Sequence, residues 1–132
     1  MMKMVKQVFD VENFWRVVVF WNVDYHFFDD VELELRMIGF HRAAIEGIRT
    51  SMESGEAKAV TCSRQHTSVI LFNRHGSVAD YLSSIVHEAE HVKQSMLKAY
   101  QVEDGGEAPA YTVGYLVKRR WEVFNKFLQI TK

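Results

Sequence analysis

The chain has 132 residues, 48% of them apolar and 25% charged, which fits one globular domain with a core of its own. Sixteen basic and seventeen acidic residues give a formal net charge of −1, so no broad basic footprint for nucleic acid is present. One cysteine, Cys62, excludes an internal disulfide, and Lys3, Lys6, Asp10 and Glu12 interrupt any apolar stretch of a signal peptide.

The longest apolar run, Val17 to Trp21, is too short to span a bilayer. The expected location is the cytoplasm, with no membrane partner. The cluster Lys118-Arg119-Arg120 reads as a solvated helix face.

In chain order, Phe14 to Val23 (FWRVVVFWNV) is rich in β-branched and aromatic residues and predicts a buried strand. Asp29 and Asp30 are placed to cap a helical region. Leu33, Met37 and Phe40, then Ala44, Ile45, Ile48 and Met52, follow helical spacing, and Gly39 marks a split into two helices. Ser54 to Ala57 (SGEA) is a stop. Ala59 to Ser63 and Thr67 to Asn73 predict two short strands around a turn at Arg64 to His66.

Ser77 with Asp80 three residues on fits a capping box, so a helix is expected from there to about Tyr100. A Glu103-Asp104-Gly105-Gly106 break follows. A last helix is predicted from about Ala108, with Pro109 in its first turn and an apolar stripe at Ala110, Val113, Val117, Trp121, Phe124 and Leu128. The expected class is α+β, a small and mostly antiparallel sheet of about three strands packed with helices. One domain over 1–132 is expected, with an N-terminal strand and helices in 1–58 and a site-bearing core in 59–128.

The chemistry-bearing stretch is Ser84 to Gln94, SIVHEAEHVKQ. At 100° per residue, Val78, Tyr81, Leu82, Ile85, Ala89, Val92 and Met96 share one broad face. His87 and His91 fall on the opposite one, among Asp80, Ser83, Ser84, Gln94 and Lys98. These histidines are therefore not core residues. One helical turn apart, two imidazoles can reach one metal ion. Glu88, about 100° around from His87, can reach a water on that ion. Zinc brings the pKa of such a water to about 7, where a carboxylate can take its proton.

A catalytic zinc needs a third protein ligand. No histidine follows His91, and Gln94 and Leu97 do not fit a metzincin extension. The downstream acids are Glu103, Asp104 and Glu107. Glu107 is preferred, at the start of the last helix where Gly105 and Gly106 supply a turn; Glu103 is the second choice.

HEAEH followed by the glutamate of GEAPAY resembles the gluzincin class of zinc metallopeptidases, whose third ligand is a glutamate on a following helix. The short chain and the β-β-helix-helix order are similar to minimal members, the minigluzincins, and to small HExxH proteins of bacterial prophages. The resemblance covers roughly Ala59 to Leu128 and implies Zn²⁺ held by His87, His91 and Glu107, with Glu88 as catalytic general base. It implies a peptide or protein substrate lying along an edge strand, expected to be Thr67 to Asn73. Tyr111, Tyr115 and His75 could serve as oxyanion donors, but each is read first as a packing or surface residue. The sequence departs from the larger gluzincins around Glu107, flanked by Gly106, Ala110 and Tyr111, so no partner that would orient a zinc histidine is recognised. The alternative implied by the same resemblance is a catalytically weak or inactive binding or regulatory protein of prophage-accessory type.

Two other features are read structurally. Cys62 and His66 make a C-x3-H pair without a second ligand pair, so a largely inert thiol is expected. The aromatics Trp15, Phe20, Trp21, Tyr25, Phe27 and Phe28 are expected mostly in the core.

Overall fold

The computed structural model describes residues 3–11 and 15–100. It opens with a strand that the residue pattern conceals, β1 (Val5–Val11). Gln7, Phe9 and Val11 point inward, whereas Val8 is 48% exposed. The buried Gln7 is tolerated because its Oε1 accepts a hydrogen bond from Trp21 Nε1 at 3.3 Å. β2 (Trp15–Trp21) follows, pairing antiparallel with β1 and buried on nearly its whole length.

A 3-10 turn over Tyr25–Phe27 leads into α1 (Asp29–Met37) and α2 (Arg42–Glu53). The cap of α1 is Phe28, without a side-chain bond; Asp29 and Asp30 lie inside the first turn instead. Their carboxylates there complement the positive end of the helix dipole. Gly39, at φ +98°, breaks the two helices apart as expected.

β3 (Ala59–Arg64) and β4 (Thr67–Phe72) form a hairpin. Its two turn residues, Gln65 and His66, both have positive φ (53° and 56°), the backbone sign of the turns that match strand twist. α3 (Val78–Tyr100) completes the described chain.

The sheet has four strands in the order β1-β2-β4-β3. Two antiparallel pairs are joined by a parallel pairing of β2 with β4. The α+β class is thus observed, with one strand more than expected. β4 is not an edge: it lies between β2 and β3, and every one of its residues is buried. The strand at the open side of the hairpin is β3.

Strand alternation sends side chains to two layers. Trp15, Val17, Val19, Trp21, Ile70 and Phe72 face α3, where Tyr81, Ile85, Ala89, Val92 and Met96 meet them. Val18, Phe20, Val69, Leu71 and Cys62 face α1 and α2 on the other side. Two helical faces differ from expectation. Leu33 and Met37 are 56% and 61% exposed, because α1 is turned to bury Val31, Glu34 and Leu35. Glu34 fixes that rotation by accepting from Arg16 Nη1 at 2.9 Å and Lys6 Nζ at 3.0 Å. On α3, Val78 and Leu82 stay exposed at its N-terminal end. Among the described residues no helix is long and apolar enough to cross a membrane. The expected last helix, with Glu103, Asp104, Glu107, Tyr111 and Tyr115, lies outside the described residues.

Candidate metal centre

The helix that carries the site is started locally and positioned globally. Ser77 Oγ accepts from Asp80 N at 3.1 Å, closing the first turn of α3. The apolar face then docks on the sheet, which turns His87 and His91 outward, both exposed. Their Nε2 atoms lie 3.1 Å apart and their rings meet edge to face, centroids 4.7 Å apart.

This spacing passes a simple test. Two nitrogens on one tetrahedral zinc, each at about 2.05 Å, would stand roughly 3.3 Å apart. The observed separation is within a few tenths of that. Two imidazoles so placed share one proton, or share one cation.

Glu88 is the opposite case. It is 3% exposed, on the flank of α3 that meets β3. Thr61 Oγ1, on β3, donates to its Oε1 at 2.9 Å. Its Oε2 is turned toward His87 Nε2, 3.9 Å away. Ligand atoms of His87, Glu88 and His91 all fall within 4.8 Å of one another, and among the described residues this is the one group of its kind. Two imidazoles and a nearby carboxylate are donors that suit zinc.

No family model, curated protein or solved structure matches the chain. A metal at His87, Glu88 and His91 is supported by their geometry and by the chemistry of these donors.

In front of His87 and Glu88 lies a cleft of about 280 Å³, lined also by Lys58, Ala59, Ser83 and Ser84. One of its walls is braced from behind. His75 Nδ1 lies 2.6 Å from the carbonyl oxygen of Asn73, and its Nε2 lies 2.7 Å from Ser84 Oγ. A carbonyl only accepts, so in the neutral ring the proton sits on Nδ1 and Nε2 accepts from the Ser84 hydroxyl. The His75 ring stacks on Tyr81, centroids 4.6 Å apart. Asn73 is itself held by Met52 and Ala57 carbonyls, at 2.7 and 3.1 Å, and by the Tyr25 hydroxyl. His75 thus reaches the site through Ser84 rather than directly.

Sequence reasoning brought out His87, Glu88 and His91, and the structure brings these three together. Glu107 and Glu103 lie outside the described residues. Thr61 and Ser84 were missed: Thr61 is 27 residues from Glu88 and bears no local motif, and only the pairing of β3 against α3 makes it a neighbour. Cys62 and His66 do not converge. Cys62 is buried, and burial pushes its thiol up to about 11. His66 is exposed and stacks on Trp15. Of the six aromatics expected mostly in the core, only Phe27 is strongly exposed, at 70%.

Proposed function

We propose that the chain is a zinc-dependent metallopeptidase of minimal gluzincin type. The carrying observation is the pair of converging imidazole nitrogens, 3.1 Å apart, beside a buried carboxylate fixed by Thr61. His87 and His91 would hold the zinc, and Glu107 is the proposed third ligand, with Glu103 second. When bound, zinc supplies Lewis acidity toward a carbonyl oxygen and makes water easier to deprotonate.

The chain's own residues do the rest. Thr61 occupies Glu88 Oε1, so Oε2 is the atom that takes a proton from a water in the cleft. The same oxygen then gives that proton to the leaving amine, one carboxylate serving as base and then acid. Burial of Glu88 in a site bordered by protein strengthens these interactions relative to water.

The peptide track is β3 rather than β4. Asn73 N donates to Lys58 O at 3.0 Å, which marks Lys58 as facing β4. Antiparallel alternation gives Val60, Cys62 and Arg64 the same sense. The N–H and C=O groups of Ala59, Thr61 and Ser63 are then turned to the outer edge, and among the described residues no strand pairs there. An extended peptide added to that edge would pass directly beside the Thr61–Glu88 contact. A single buried thiol suits a reducing, cytoplasmic setting.

Glu88→Gln is the direct test. It keeps the shape and the Thr61 hydrogen bond but cannot take a proton. Hydrolysis of a labelled casein digest should fall by roughly 10²–10⁴-fold, while zinc content stays at the wild-type level. Equal hydrolysis by both proteins would remove Glu88 as the base. Zinc binding with no wild-type hydrolysis of any peptide would favour the metal-loaded, accessory reading of the same site.

A further inference from the structure

Among the described residues, the cleft beside the proposed metal centre is lined by Lys58, Ala59, Ser83, Ser84, His87 and Glu88, of which only Ala59 is apolar. These residues offer a bulky hydrophobic side chain little to pack against. Charge is different. Glu88, the one acid in the lining, is engaged by Thr61 and turned toward His87. Lys58 is the one lysine or arginine in the described lining, and among the described residues no carboxylate is paired with its ammonium. Its backbone is pinned at the foot of β3 by the Asn73 hydrogen bond, while its side chain is free to reach over the cleft from an exposed position.

The hydroxyls sharpen the fit. With the neutral His75 ring, Ser84 directs its hydroxyl hydrogen to Nε2, so toward the cleft it offers lone pairs, an acceptor for a substrate amide N–H. Ser83, exposed beside it, has a hydroxyl able to donate. An acceptor for an amide, a hydroxyl donor and an ammonium with no carboxylate partner among the described residues thus line the cleft beside His87 and Glu88.

We propose that this cleft selects a carboxylate adjacent to the cleaved bond, with Lys58 as its charge partner and Ser84 accepting from the neighbouring amide. The carboxylate is either the C-terminus of the substrate or an acidic side chain next to the bond. The inference rests on the metallopeptidase reading above.

The test uses the zinc-loaded full chain and calorimetric titration with three dipeptide hydroxamates. One ends in a free carboxylate, one is its carboxamide, and one is amidated but carries a glutamate side chain. At least one carboxylate probe should bind about fivefold tighter than the carboxamide, and rising salt should erode the difference. Whichever acid gains more identifies the source. Lys58→Gln should abolish the preference, and Lys58→Arg should retain it. Both variants should leave the melting temperature unchanged, because Lys58 is exposed and its backbone hydrogen bond does not depend on the side chain. Equal binding of all three probes, or a preference that survives Lys58→Gln, overturns this inference and leaves the zinc reading standing. No binding of any hydroxamate overturns the zinc reading and the inference with it.

Discussion

At the scale of single residues, Glu88 is the unusual side chain. A carboxylate this buried persists only with partners, and Thr61 is the one seen at hydrogen-bond distance on its Oε1. Thr61→Val keeps the shape and removes the hydroxyl. It should destabilise the fold by about 1–3 kcal/mol at neutral pH, since a buried charged acceptor loses its donor. Urea unfolding checks this, and the loss should be smaller in a Glu88→Gln background, where the acceptor is uncharged. Loss of the same size in both backgrounds would show that Thr61 acts by packing alone. The outward aim of His87 and His91 was legible from the helical wheel. The burial of Glu88 was not read from it, although Glu88 lies beside Ile85, Ala89 and Val92 on the wheel. Its partner could not be, because a contact across 27 residues has no local signature.

At the scale of elements, most boundaries follow from local chemistry, and the exceptions have physical causes. The SGEA stop, the Gly39 break and the Ser77 start all appear where turn and cap residues place them. Gly39→Ala should therefore cost about 1–2 kcal/mol, because φ of +98° disfavours any Cβ. That Cβ would also press on Gln65 Nε2 at 3.3 Å. A melting temperature unchanged in Gly39→Ala would show that the loop can readjust. β1 escaped notice because its polarity is inverted at two neighbouring positions: Gln7 faces the core and Val8 faces out. The rotation of α1 was likewise hidden, since only Arg16 and Lys6 on the sheet explain why Glu34 is inside and Leu33 outside. Strand order is never local. Yet the run TSVILF, apolar on both faces, carries the signal of an interior strand, and AVTCSR, half polar, that of an edge.

At the scale of the whole molecule, the two faces of the sheet divide the work. α3 and the edge strand β3 carry the site, while α1 and α2 close the other side around Glu34, Arg16 and Lys6. The Arg16 guanidinium hydrogen-bonded to Glu34, aided by Lys6, holds that carboxyl below its ordinary value against the opposing effect of burial. A depressed folded-state pKa means stability that is complete above the unfolded value and is lost as pH falls through the folded one. The acid limb of stability should therefore flatten in Glu34→Gln, which should also cost about 2 kcal/mol near neutral pH. Urea midpoints measured from about pH 6 down to about pH 3 read both effects. An acid limb identical in variant and wild type would remove Glu34 from the pH response.

In the proposed centre, His87 and His91 hold a zinc ion while Glu88 stands beside it as a base. Zinc affinity, measured by competition with a chromogenic chelator, tests this most directly on the wild type, His91→Ala and Glu88→Gln. The expected result is about one tight site per wild-type chain, weakened by more than roughly 100-fold in His91→Ala and little changed in Glu88→Gln. No tight site in the wild type, or a Glu88→Gln loss as large as that of His91→Ala, would contradict it.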